Sequence, residues 1–112
     1  MNAYELLRLY KKGERHFRGV DLAGTNLGGA YLSGINLTGA DLAGAYLGGS
    51  NLTGANLAEV SLIGSSLYCA KLVNANLAGA CLRRADLREA KLTDADLVEA
   101  DLTDAQIDKG KK

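Results

Sequence analysis

Leucine recurs every fifth residue without interruption from Leu22 to Leu102. Phe17 extends the series at the front and Ile107 at the back, so nineteen consecutive five-residue units run in register. Neither standard element accommodates this period. On an α-helix five residues advance by about 500°, which scatters the leucines over every face. On a strand an odd period sends successive leucines to opposite faces. All of them face one interior only if the chain turns once per unit. The pattern therefore predicts a stack of turning coils around one apolar axis.

Each unit is tightly specified around its central leucine. Two residues before the centre the chain is usually small, as at Ala30, Ala40, Ala45, Ala55 and the series from Ala70 to Ala105. One residue before it often stands a short polar group: Asp21, Asn26, Asn36, Asp41, Asn51, Asn56, Asn76, Asp86, Asp96 and Asp101. The consensus A-(D/N)-L-x-x resembles the pentapeptide-repeat family over residues 15–109. The opening AYELLRLYKKGERHF is similar to the capping helix and entry turn of bacterial, especially cyanobacterial, members. The resemblance implies an all-β solenoid, a right-handed quadrilateral β-helix of about five coils, four pentapeptides to a coil, with leucines stacked along the axis. It also implies that the small residue points inward at the corner. Val20, Ile35 and Val60 depart mildly from that rule, and Arg15 departs strongly enough to predict a half-formed first unit.

The position two after the centre divides the chain. From Gly19 to Gly54 it is always Gly; from Glu59 onward most occupants are polar or charged. Gly at the third position of a turn favours type II geometry with positive φ. The charged replacements predict negative φ, and so two turn regimes meeting near Glu59. At the front, Tyr4, Leu7 and Tyr10 fall at helical spacing beside Leu6, Asn2 stands as an N-cap, and Lys11, Lys12 and Gly13 make a stop. The expected organisation is a capping helix and turn over 1–13, a repeat body over 14–109 and a charged tail over 110–112.

Composition narrows the function classes. Thirteen basic and thirteen acidic residues cancel, so no global field steers the chain to nucleic acid or to an anionic membrane. No apolar run approaches membrane-spanning length. His16 is the only histidine, which excludes histidine-pair metal sites and any Ser-His-Asp or Cys-His set in mid-chain. Cys69 and Cys81 count to opposite corners of the square, beyond disulfide reach. Two free thiols suit a reducing, cytoplasmic setting. Most aspartates occupy the slot in which, as the resemblance implies, Asp or Asn bonds local backbone. Gly28-Gly29 and Gly48-Gly49 precede no helix and are not phosphate loops. No catalytic residue, cofactor, metal or small-molecule substrate is indicated.

The exterior carries the functional leads. Residues twenty apart stack, so Asn36, Asn56 and Asn76 form a column expected to act as an asparagine ladder. Tyr46 and Tyr68 point outward from one side in adjacent coils, Ile63 from the neighbouring side, and Tyr31 further along. On a nearly uncharged wall they form a candidate protein-contact surface. The indicated function is a non-enzymatic interaction or scaffold module. The alternative is similarity to gyrase-inhibiting family members whose rods mimic DNA. That needs a continuous acidic face, whereas the middle coils are almost chargeless and Arg83, Arg84 and Arg88 interrupt the acidic later ones. Along the axis, the stacking predicts ion pairs Arg84–Asp104, Arg88–Asp108 and Glu89–Lys109. The last coil lacks a fourth leucine, so the C-terminal end is a candidate site for a weak homodimer.

Overall fold

The computed structural model describes residues 1–108. The Glu89–Lys109 pair and the tail boundaries at 109 and 110 lie outside the described residues. The chain starts with one helix, α1, Ala3–Lys11. Asn2 caps it: its Oδ1 accepts the Glu5 N–H at 2.8 Å. The stripe that α1 buries is Leu6 with Tyr10, one turn apart. Tyr4 and Leu7, expected to share that stripe, face outward.

From His16 onward, parallel bridges join residues twenty apart, from His16 with Asn36 to Asp86 with Gln106. The chain turns four times in each interval, so the coil is four-sided. We number its sides by their first centres: Phe17, Leu22, Leu27 and Leu32. Each side pairs through isolated single-residue bridges rather than continuous strands. The whole, including α1, measures 39 × 22 × 21 Å, and the two nearly equal short dimensions are those of a square section.

A hydrogen-bond account of one unit explains the consensus. Ala55 N–H closes the preceding turn onto Leu52 O at 3.0 Å. Asn56 N–H reaches back one coil to Ile35 O at 2.8 Å, and Leu57 N–H reaches forward to Asn76 O at 2.7 Å. Ala58 N–H is taken by the Asn56 side chain at 3.1 Å. Glu59 N–H again reaches forward, to Ala78 O, at 2.9 Å. All five N–H groups are satisfied, and only one of them needs a side chain. Each Asp or Asn named for this slot makes that same bond to the N–H two residues on. Asn36, Asn56 and Asn76 do form a column. Their carboxamide oxygens, however, bond locally within their own units rather than along a ladder.

The two turn regimes do not exist. Glu59, Cys69, Asn74, Arg84, Glu89, Asp94, Glu99 and Asp104 have φ between 58 and 62°, beside 65–72° for the repeat glycines. The ladder decides the matter. The residue at this position donates to the next coil, as Glu59 does to Ala78, and the following N–H must close the turn. Negative φ would forfeit that geometry, so side chains are carried in the left-handed region at a cost of roughly 1–2 kcal/mol each.

The core is the leucine column and the corner column beside it. Leu22 to Leu87 are buried throughout. Ile35 and Val60 are fully buried at corners, so that slot accepts branched side chains as well as Ala. Ser50 and Ser65 are buried there too. Ser65 Oγ donates to Leu62 O at 2.8 Å, whereas Ser50 Oγ has no partner among the described residues. The first unit makes its ladder bonds to the next coil, contrary to the half-formed unit that Arg15 predicts. Phe17 N–H bonds Asn36 O and Asn36 N–H bonds Arg15 O, both at 2.8 Å. The Arg15 side chain turns outward onto the helix, its guanidinium 3.6 Å from the Tyr10 ring centroid and bonded to Tyr10 O. At the other end Leu92, Leu97 and Leu102 are only half-buried, and Ile107 is 41% exposed.

Candidate interaction surface

The walls hold two outward slots per unit, one before and one after the centre. On the third side these are Asn26 and Gly28, Tyr46 and Gly48, Ser66 and Tyr68, Asp86 and Arg88. Tyr46 and Tyr68 are 49% and 44% exposed on this one wall. The Tyr46 ring lies flat across the backbone of Gly28 and Gly48. A Cβ at Gly28 would stand 2.5 Å from its Cε2, and one at Gly48 would stand 2.5 Å from its hydroxyl oxygen. The first glycine of each pair, Gly28 and Gly48, leaves the room that this ring occupies, while Gly29 and Gly49 are turn glycines with positive φ. Tyr68 stands directly above Gly48 in the column.

Arg88, which sequence reasoning left out of the surface, belongs to it. One coil on from Tyr68, its guanidinium lies 5.4 Å from the Tyr68 ring centroid. It is held there by Asp86, through bonds of 2.9 Å from Nε to Oδ1 and 2.8 Å from Nη2 to Oδ2. The twenty-residue lag places Arg88 one coil on from Tyr68, and the Asp86 bonds turn its guanidinium toward the ring. The Arg88 side-chain bonds keep the Asp86 carboxyl below the usual carboxylate range. The Tyr68 hydroxyl is raised above the usual phenol range, chiefly by the charge of the adjacent Cys69 and then by its hydrogen bond, against the opposing pull of Arg88.

The other two candidates lie elsewhere. Ile63 is half-buried on the second side. Tyr31, on the fourth side, is 63% exposed and stacks edge-on to Tyr10 with centroids 6.3 Å apart. Tyr10 itself donates its hydroxyl to Ser33 O at 2.5 Å. Tyr31 is thus one wall of the socket that receives α1.

Two expected axial ion pairs are replaced by others. Arg83 pairs with Asp101 at 3.3 Å, and Arg88 with Asp86 at 2.8 Å. Arg84 and Asp104 form no ion pair with each other. They sit at corners with positive φ, while Arg83 and Asp101 share the flat second side. Asp108 instead accepts the Glu89 backbone N–H at 2.7 Å. Both cysteines are free thiols, Cys69 exposed and Cys81 half-buried.

The pentapeptide repeats profile matches the chain in eight copies, over residues 16–54, 40–79 and 70–106. No functionally curated protein matches it. A pentapeptide repeat protein from Nostoc Pcc 7120 is 33% identical over 98% of this chain and 88% of its own, with a TM-score of 0.77. Rfr23 from the cyanobacterium Cyanothece 51142 is 32% identical over 84% of this chain, with a TM-score of 0.73; the match spans 60% of its length. A thylakoid-lumen pentapeptide repeat protein from Arabidopsis thaliana is 25% identical over 91% of this chain and 61% of its own, at a TM-score of 0.55. Proteins with this repeat fold as right-handed quadrilateral β-helices. On the repeat profile, the full-length structural likeness and the five-residue hydrogen-bond cycle together, this chain belongs to the pentapeptide repeat family.

Proposed function

We propose that this chain is a non-enzymatic protein-binding module, built on the family's right-handed β-helix, that engages a protein partner through the third side of its rod. One observation carries the reading. At Tyr46 the chain gives up the local Asp/Asn bond that most of its units make, and spends two glycines on laying an aromatic ring flat against the wall. Nothing in the coil needs this. A local hydrogen bond contributes about 1 kcal/mol, and departures from an otherwise kept rule are where functional residues are sought. Tyr46, Tyr68 and the Asp86-fixed Arg88 form a rigid strip of the residue types that dominate binding interfaces. A reducing, cytoplasmic setting suits the two free thiols.

The test uses Tyr46→Asn with Tyr68→Ala. Asn at 46 restores the consensus bond, so the fold is expected to hold. Tagged parent, this variant and a first-side control, Thr38→Ala, are used for affinity capture, and any captured protein is then titrated in purified form. A partner bound by parent and control, and at least about tenfold more weakly by the variant, supports the reading; tenfold corresponds to about 1.4 kcal/mol. Equal binding by all three overturns it.

A further inference from the structure

The net charge is zero, yet the rod is polarised across its axis. On the fourth side, the described charges of the outward slots are Lys71 and Lys91, stacked as a bridge pair. On the opposite, second side, Asp21 and Asp41 form another bridge pair. Its remaining charges, Arg83 and Asp101, neutralise each other at 3.3 Å. None of Lys71, Lys91, Asp21 or Asp41 has an ion pair among the described residues. Each ladder therefore places like charges about 4.8 Å apart, an arrangement that is mildly destabilising within a sheet. Lys71 and Lys91 also occupy the slot in which an Asp or Asn would have bonded backbone. At the corners, Lys91 is flanked by Glu89 and Asp94, and Lys71 by the neutral Cys69 and Asn74. The aspartate ladder is flanked by glycines alone. Its carboxylates are held still, because Asp21 Oδ1 and Asp41 Oδ1 accept the N–H groups of Ala23 and Ala43 at 3.1 and 3.0 Å. Little entropy is left to lose when they pair.

We propose that the partner of both ladders is a second copy of this chain, with the fourth side of one rod lying against the second side of the next. Both ladders take their spacing from the same coil, so two copies match it without adjustment. An antiparallel neighbour sets Lys71 against Asp41 and Lys91 against Asp21. The two ladders lie on either side of the rod's middle, so antiparallel rods overlap almost entirely. A parallel neighbour would slip by the fifty residues between Asp21 and Lys71, at twenty residues to a coil, and lose half the overlap. A wall about 22 Å wide and five coils of about 4.8 Å long offers roughly 500 Å² per copy. That total lies near the lower limit for specific interfaces. The association is therefore weak and salt-sensitive. Because the paired walls are opposite faces of one rod, the contact does not close on itself, and copies add side by side into a ribbon. The first and third sides stay free along it, so Tyr46 and Tyr68 are presented repeatedly.

Sedimentation equilibrium over about 10 µM to 1 mM tests this, in about 20 mM and about 500 mM salt, where the screening length falls below the ladder spacing. At low salt the parent's average mass is expected to keep rising, past that of a dimer and without a plateau; at high salt it stays near monomer. Lys71→Asp with Lys91→Asp has two acidic walls and consensus side chains, and is expected to remain monomeric. Asp21→Lys with Asp41→Lys has two basic walls and is expected to do the same, its fold checked by thermal melting. Mixed in equal amounts, the two monomeric proteins should co-assemble as the parent does. A parent that is monomeric at about 1 mM and low salt overturns the proposal. So does a mass that plateaus at dimer and falls with Ile107→Asp, which places the contact at the C-terminal end. A mixture that stays monomeric also sinks it.

Discussion

Carrying side chains at positive φ is an expense the second half of the rod bears and the first half avoids, and this makes a quantitative prediction. Asn74, Arg84 and Glu99 have φ of 61, 58 and 60° and stand at three different corners of the square. Replacing each by Gly relieves roughly 1–2 kcal/mol of left-handed strain. Against this, Gly widens the unfolded ensemble, which costs about 0.4–1 kcal/mol. The net gain is about 0.7 kcal/mol per site. Separate corners share no partners, so the gains add to about 2 kcal/mol in the triple variant. For a domain of this size that raises Tm by roughly 10 °C and moves the urea midpoint up at constant slope. Gly44→Ala is the counterpart. Its φ is +67° and a Cβ there meets nothing within 4 Å, so strain is its whole cost, and a loss of about 0.5–1 kcal/mol is expected after the same entropy correction. A triple variant that melts at or below the parent temperature would show that these corners are not strained, and that the ladder does not impose one turn geometry.

Further outcomes follow from the same structure. Leu57→Asp, at a fully buried centre, should unfold the rod, since an unpaired buried carboxylate costs several kcal/mol against a total of about 5–15; a cooperative melt near the parent temperature would refute the buried column. Ser65→Ala removes a made hydrogen bond and should cost about 1 kcal/mol, while Ser50→Ala removes an unmade one and should be neutral or stabilising; denaturant midpoints shifting together would contradict the assignment. Asp86 has a lowered folded pKa from Arg88, so its contribution is present above the ordinary carboxylate range and lost as pH falls through the folded value. Asp86→Asn should flatten, without abolishing, the acid-side fall in Tm, because Asp101 and Glu14 are depressed in the same sense; an unchanged slope refutes the link. Arg15→Ala should loosen α1 without melting the coils, seen as faster amide exchange confined to Ala3–Lys11.

The fold was legible because it is written nineteen times. The leucine period came from position within the unit, the lag of twenty and the local bonding of Asp and Asn from the family resemblance, and the Asn2 cap from the helical spacing ahead of the units. What failed shares one cause. Glu59, Arg84 and Glu99 were assigned negative φ on intrinsic preference, but the N–H that each must send to the next coil overrides that preference. Arg84 and Asp104 were paired by lag alone, and stacking one coil apart does not by itself bring two corner side chains within ion-pair reach. Arg15 read as a defect because its side chain was assumed to point inward; it turns out to clamp Tyr10. Tyr31 read as free surface because nothing in the repeat reveals where α1 comes down. In each case a long-range or directional constraint outranked a local rule. The surface was legible only in part: Tyr46 and Tyr68 stood out, while Arg88 and the glycine seat of Tyr46 needed coordinates.

The hydrogen-bond cycle also explains why a sequence so informative about fold is so reticent about role. Four of the five N–H groups in a unit are satisfied by backbone, and the fifth by a side chain whose loss contributes only about 1 kcal/mol. The outward slots are therefore nearly free of structural duty. They can change side by side and coil by coil while core and ladders persist. For the same reason, 33% identity along the rod carries the fold without carrying the partner. Function in such a chain must be read from the units that break their own rule. Here the outward slots with the clearest breaks are Tyr31, which seats α1, Tyr46, which spends two glycines, and Lys71 with Lys91, which accept a like-charge contact. The first has a reason inside the molecule. The other two do not, and they face different walls, which is why one is assigned to a foreign protein and the other to a second copy.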